Sequence, residues 1–306
     1  MIVAVGLSPA LDRTLLVDEL RPGTIHRPRS VVQLAGGKGL NVARAARTLG
    51  SDVVAVALLG GGTGELVERL LRAEGIEASV IASQAETRVC TSVVAGDGAH
   101  TEFYEWAPSL AEGEWELIEA RVSAALDRRP GWLTLSGSMP PGTPDDAVAR
   151  LAHLAHARGA RVAVDTHGAA LQLALAERPD VVKVNVQEAA DAVGGDPAEA
   201  HEAALALHSR RAHGWLTVVT AGGAGAYAVG PDGVVHVGVA HPGAYPVGSG
   251  DSFLAGLVVG LLETGDVGSA LALGAAAASA NAASPGAAVL DGALARRWAT
   301  EVVVGS

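Results

Sequence analysis

A single cysteine, Cys90, is all the thiol in this chain of 306 residues. No intramolecular disulfide can form, which suits a reducing, cytoplasmic setting, and no thiol cluster is available for a structural metal. Blocks of lysine or arginine are also missing. With 22 basic residues against 33 acidic ones, the formal net charge is −11. That balance argues against a nucleic-acid partner or an anionic membrane surface. It leaves room for a small anionic ligand, because a few local cations can dominate a pocket. A secretion signal is not expected: Met1 leads straight into Ile2-Val3-Ala4-Val5-Gly6, a buried-strand pattern without a basic flank. Neither an internal repeat nor a low-complexity tail is present, and the 14 prolines are too dispersed for a disordered linker.

What remains is abundant in apolar residues (49%) and in glycine (39 residues), enough for a large core with many tight turns. Strand patterns fall at 2–6, 53–59, 132–136, 161–165, 181–184 and 215–220. Helical patterns fill 38–49, 63–74, 114–127, 144–158, 187–193, 197–211, 251–264 and 267–283. The small-residue stretch 270–283, interrupted by Gly274, Ser279 and Asn281, is expected to be a tightly packed internal helix rather than a membrane span. Alternation of this kind predicts an α/β fold, a mostly parallel sheet covered by helices on both faces, with ligands at the carboxyl ends of the strands. Residues 13–34 and 87–105 break the rhythm with polar/apolar alternations and no helix. They predict a small second sheet, a lid or an association surface whose open edges favour pairing with a second copy.

Several segments carry chemistry. Near the C-terminal end, Pro246-Val247-Gly248-Ser249-Gly250-Asp251-Ser252 opens an apolar helix. First-turn N–H groups lack intrahelical partners and sit at the positive end of the dipole, so they suit an anion. A carboxylate beside them can take a proton from an attacking hydroxyl. The alternative is a tight turn with Asp251 as a helix cap. Ala35-Gly36-Gly37-Lys38-Gly39-Leu40-Asn41 opens another helix. It is not a Walker P-loop, yet a lysine at the end of a helix that repels cations is better explained by a bound anion. Asp12, after the first strand, can hold sugar hydroxyls or merely a turn. Arg27 and Arg88 have forks that match phosphate, although isolated arginines are commonly just solvated. Ser136-Gly137-Ser138 ends a strand with hydroxyls and free amides, or is a loop stiffened by the prolines that follow.

Asn185 and Glu188 stand three apart at a strand-to-helix turn. Spacing favours a capping box over an Mg²⁺ site reached through water. Thr220-Ala221-Gly222-Gly223-Ala224-Gly225 follows a strand. Gly223, Gly225 and Ala228 formally match a dinucleotide fingerprint, but alternating sequence follows instead of a helix. A turn against nucleotide phosphate or ribose fits better.

Taken in this order, the segments resemble the phosphofructokinase-B carbohydrate kinases of the ribokinase superfamily over essentially the whole chain. The opening Ser8-Pro9-Ala10-Leu11-Asp12 is similar to that of the 1-phosphofructokinase and tagatose-6-phosphate kinase branch, as are Thr87-Arg88, Ser136-Gly137-Ser138 and the stretch from Thr101-Glu102 to Glu105 and Pro108. The resemblance implies a single ribokinase-like α/β domain over 1–306 with a β lid from 13–34 and 87–105, often building a homodimer. It implies ATP, Mg²⁺ and a monovalent cation as cofactors. Asp251 would be the base, with Gly248, Ser249 and Gly250 as anion hole. Asp12, Gly37 and Asn41 would hold the sugar, and Lys38, Arg27, Arg88 and Ser138 its phosphate. Lys183, Asn185, Glu188, Thr220, Gly222 and Gly225 would meet MgATP, with Asn281 near adenine.

Departures are Val184 for a proline, Ser8 for an asparagine, and Tyr104, Trp106 and Ala107 in a stretch that usually reads Asn-Glu-Pro-Gly. The expected reaction is ATP-dependent phosphorylation of fructose 1-phosphate. Tagatose 6-phosphate, fructose 6-phosphate and free sugars are the alternative acceptors. A non-catalytic sensor of nucleotide or sugar phosphate, and a nicotinamide enzyme, are the alternatives from other classes.

Overall fold

The computed structural model describes residues 1–195, 199–210, 216–231 and 233–305. Of the sequence expectations, positions 197, 198 and 211 of one helix and 215 of one strand lie outside the described residues. The chain begins β1 (Ile2–Gly6), β2 (Ala10–Leu16), β3 (Ser30–Gly36), α1 (Lys38–Thr48), β4 (Val53–Leu59), α2 (Gly61–Ala73), β5 (Glu77–Ala82), β6 (Arg88–Val94) and β7 (His100–Tyr104). It continues α3 (Glu114–Arg128), β8 (Trp132–Ser136), α4 (Ala147–His156), β9 (Arg161–Asp165), α5 (Gly168–Ala176), β10 (Val181–Asn185), α6 (Val186–Val193) and α7 (Ala200–Ser209). It closes with β11 (Leu216–Thr220), β12 (Ala226–Gly230), β13 (Gly233–Val237), α8 (Ser249–Thr264), α9 (Val267–Ala282), α10 (Gly292–Ala299) and β14 (Val304–Gly305).

The large sheet runs β14-β13-β12-β11-β10-β9-β8-β1-β4-β5. Its strands are parallel from β11 to β5, and β12 to β14 are antiparallel. Apolar runs such as Ile2–Val5 are buried on both faces, as a covered parallel sheet requires. Ile2 and Ala4 join the core with α1, α2, α8, α9 and α10. Val3 and Val5 join the core with α3 to α7. Strand order reverses between β1 and β8, and such a switch point opens a crevice at the strands' carboxyl ends.

Close helix packing aims α8 at that crevice. A Cβ on Gly256 would lie 2.6 Å from the Leu273 carbonyl oxygen, and one on Gly260 would lie 2.5 Å from Ala270 Cα. Only glycine lets α8 and α9 approach so nearly, and overpacking such a contact costs about 1–3 kcal/mol. The stretch 270–283 is therefore an internal packing helix. Among the described residues no helix is long and apolar enough to cross a membrane.

A separate four-stranded sheet runs β3-β2-β6-β7 and is drawn from the two stretches where alternation broke down. β2 and β6 pair in parallel, while β2–β3 and β6–β7 are antiparallel. Their registers place Asp12 opposite Cys90 and Cys90 opposite Tyr104, so one row of side chains crosses this sheet.

Some elements are absent from the sequence expectation. Helix α5 (GAALQLALA) is apolar on nearly every side, so it carries no helical period to read. Strand β5 is a half-buried edge, and α10 is a short helix announced only by its cap, Asp291.

Candidate active site

At the crevice lies a cleft of about 990 Å³, walled by both sheets and by the first turns of α1 and α8. Its center is set by Asp251. Gly248, and not Asp251, is the N-cap of α8, and no side chain caps this end. Asp251 is thus the third helical residue, free of capping duty, and only 6% exposed. Asn41 Nδ2 donates to its Oδ2 at 2.8 Å. Burial, helped by the nearby charge of Asp165, pushes its carboxyl up to about 7, against the pull of Asn41, Lys183 and Lys38. A carboxylate with that affinity for a proton is matched to general base work near neutral pH.

The glycines beside it are there because nothing else fits. Gly248 has φ +82°, and a Cβ on it would lie 2.3 Å from the Ala288 amide nitrogen. Ser249 is committed within the protein: its N–H donates to Pro246 O in the loop and its Oγ to Ala278 O on α9. The first-turn N–H groups of Gly250 and Asp251 have no intrahelical carbonyl to bond, so they are the amides suited to an anion.

Opposite stands the first glycine loop. Gly37 has φ +92°, and a Cβ there would lie 2.7 Å from Ser8 O. On Gly36 a Cβ would fall 2.0 Å from Asp12 Cγ, so this glycine makes room for the Asp12 carboxyl. Burial pushes Asp12 up to about 6, against Arg44, the Gly37 N–H and Arg88. Arg88 also lines the cleft, with its guanidinium donating to Ser8 O and Glu105 O. Ser138, Cys90 and Tyr104 complete this wall.

Asp165 joins the two halves, and sequence reasoning passed it over. It is wholly buried at the end of β9 and accepts from Lys38 Nζ at 3.2 Å and from Lys183 Nζ at 2.7 Å. Burial works against its charge, yet the two ammonium groups hold its carboxyl below the usual range. Burial likewise opposes the charge of Lys38, but Asp165, Glu188 and Asp251 raise its affinity for its proton. The local signal was slight: an acid after the apolar run Val162-Ala163-Val164, at the strand end where ligands gather, with its lysine partners far off in sequence.

The nucleotide-side candidates Lys183, Asn185, Thr220, Gly222 and Gly225 line the same cleft, joined there by His241 and the small α9 residues Ala275, Ala278 and Ala282. A Cβ on Gly225 would lie 2.2 Å from Val237 O. Asn185 and Glu188 form a full capping box for α6, as their spacing favoured. Glu188 keeps Oε1 free of that box, 3.5 Å from Lys38 Nζ. Among the described residues no group of three or more His, Cys, Asp or Glu side chains could cage a metal.

Two expected residues are placed elsewhere. Asn281 is fully buried behind the wall, where its amide donates to Val247 O and Ser249 Oγ. It braces the loop that carries Gly248 and does not face the cleft. Arg27 is exposed in the connection between β2 and β3 and does not line the cleft of its own chain.

Comparison with known proteins agrees with this arrangement. The pfkB family carbohydrate kinase model matches residues 1–291. A 1-phosphofructokinase of Xanthomonas campestris pv. campestris is 37% identical over 272 residues, covering 85% of this chain and 84% of that one. Its counterpart from Rhodobacter capsulatus is 34% identical over 285 residues, covering 90% of each. The crystal structure of phosphofructokinase-2 from Escherichia coli in complex with potassium superposes with a TM-score of 0.89 at 28% identity, over 98% of both chains. With motifs, fold and relatives in agreement over nearly its full length, the chain belongs to the pfkB family of carbohydrate kinases.

Proposed function

We propose that this kinase transfers the γ-phosphoryl group of ATP to the free primary hydroxyl of fructose 1-phosphate, giving fructose 1,6-bisphosphate and ADP. The observation that carries the reading is Asp251, a buried carboxyl of raised proton affinity beside the first-turn amides of α8. In the proposed step Asp251 accepts the hydroxyl proton while the hydroxyl oxygen attacks phosphorus in line. The N–H groups of Gly250 and Asp251, with Lys38 and Lys183, balance the charge that gathers on the migrating phosphoryl. Asp12 and Asn41 orient the sugar, and Arg88, beside Ser8 and Tyr104, takes its existing phosphate. Lys183, Thr220, Gly222 and Gly225 serve the nucleotide.

Mg²⁺ is consistent with the oxygen donors at this end of β10, because a hard ion that keeps several waters does not need a protein cage. Glu188 and Asn185 would hold it through water, and it would neutralise phosphate charge. A monovalent cation is part of the same reading, supported by the potassium complex of the E. coli relative. So are a cytoplasmic setting and a homodimer through the four-stranded sheet. That sheet leaves Phe103 60% exposed, and Trp106 beyond it is 96% exposed, as an unpartnered surface would be.

A coupled assay for ADP release over fructose 1-phosphate, fructose 6-phosphate, tagatose 6-phosphate and free fructose tests the reading. The highest kcat/KM is expected with fructose 1-phosphate. Preference for a free sugar, or nucleotide binding without turnover, would overturn it.

A further inference from the structure

Behind the cleft, one turn along α1 from Asn41, Arg44 is only 5% exposed and does not line the cleft. Arginine has five N–H donors in a rigid fork, and here every one is committed. Nε donates to Glu74 Oε2 at 2.8 Å, and one terminal nitrogen donates to Glu74 Oε1 at 3.0 Å and to Ala35 O. The other terminal nitrogen donates to Asn41 Oδ1 and to Ala287 O, both at 3.1 Å.

Each acceptor except Glu74 leads into the site. Ala35 precedes the glycine pair Gly36-Gly37. Ala287 Cα lies 2.8 Å from where a Cβ on Gly248 would be, so its backbone presses on the cap of α8. Asn41 gives Nδ2 to Asp251. An amide turned the other way would set its NH₂ against the guanidinium and its oxygen against the carboxylate, and both contacts would repel. We propose that Arg44 is a positioning residue for phosphoryl transfer, locking the Asn41 amide so that it donates to Asp251 and holding the 287 backbone against Gly248. This rests on the reading of Asp251 as the base.

The test is Arg44→Lys, which keeps the charge and loses the fork, measured in the wild type and in an Asn41→Ala background. Around Asp251 the charged groups are Asp165 on β9, Lys183 on β10 and Lys38 on α1, all unchanged by the variant. With the amide free to turn, the charged form of Asp251 loses its donor. The acid limb of kcat/KM against pH should then move upward, and kcat should fall about tenfold or more, with smaller changes in either KM. In the Asn41→Ala background the limb is already moved and Arg44→Lys should add little. A limb that stays in place while thermal stability drops, or a shift of equal size in both backgrounds, would overturn the proposal. If Arg44→Lys does not fold, Glu74→Gln loosens the same fork with Arg44 retained. It should move the limb in the same direction, and no movement overturns the proposal. Turnover surviving in Asp251→Asn would instead overturn the base assignment, a result separate from these.

Discussion

Asn41 and Asp251, 210 positions apart in sequence, share a buried hydrogen bond of 2.8 Å. Through it the first turn of α1 and the first turn of α8, each with a glycine N-cap, meet at one carboxyl group. The bond opposes burial: it favours the charged form of Asp251, while desolvation and Asp165 favour the neutral one. Burial wins, and the outcome near 7 leaves the group able both to accept a proton and to release it.

The first prediction concerns rate against pH. Below about 7 Asp251 carries its proton and cannot accept another. For the free enzyme kcat/KM should therefore fall about tenfold per pH unit on the acid side and level off above. An acid limb near 4, the ordinary carboxylate range, would show that the base is not desolvated.

Asp251→Asn should separate function from stability. Turnover should drop by about 10²- to 10⁴-fold if the proton acceptor is lost. Stability should move the other way. The native carboxyl keeps its proton up to about 7, whereas the unfolded one releases it from 3.8. Wild-type folding is thus progressively weakened as pH rises across that interval. The substitution removes this loss, so its Tm should match the wild type at low pH and exceed it at pH 8. Thermal melts at the two pH values check the sign.

Gly248→Ala should damage the proposed anion site through the backbone. Its φ of +82° disfavours any Cβ, and the Ala288 amide nitrogen lies 2.3 Å from where that atom would go. A strain of about 1–3 kcal/mol is expected, lowering Tm and kcat together, with the KM for sugar changed least. A variant with normal turnover would mean that the amides of this turn do not touch the reacting group.

Much of this geometry was legible before folding, and the reasons are physical. Strands β1 and β4 are continuous apolar runs, and α8 begins at a Gly-Ser-Gly turn. Such local signals survive without tertiary context. Asp165 and Arg44 did not stand out because their meaning is wholly tertiary. One is an acid at a strand end until Lys38 and Lys183 flank it. The other is a helix arginine until Glu74 arrives from another helix's end. The Asn185–Glu188 capping box was readable because both partners lie within one turn. The position of Asn281 was not, since only packing decides whether a helix residue faces a cleft or the loop behind it.

Arg88→Ala should act on the sugar phosphate alone. Its guanidinium is aimed by Ser8 O and Glu105 O, on the wall that also carries Asp12. Loss of a charge-assisted contact of about 1.5–3 kcal/mol corresponds to roughly a 10- to 150-fold higher KM for fructose 1-phosphate. The KM for ATP should hardly move. Unchanged sugar-phosphate affinity would remove the phosphate-binding role.

Asp165→Asn gives the sharpest test of how the cleft balances its charges. The carboxylate is wholly buried and is ion-paired to both Lys38 and Lys183. Breaking such a pair from one side costs about 3–5 kcal/mol, so Tm should fall clearly. Lys183, whose Nζ lies 3.0 Å from where a Cβ on Gly250 would be, should lose its aim at the α8 turn. The KM for MgATP should then rise. The direction at Asp251 is the decisive part. After burial, the charge of Asp165 is the largest influence raising that carboxyl, while both lysines lower it. Removing the acid and keeping the lysines must shift the acid limb of kcat/KM below 7, opposite to the shift expected from Arg44→Lys. An unmoved limb would mean that the two aspartates do not sense each other across the cleft, and the raised affinity of Asp251 would have to come from burial alone.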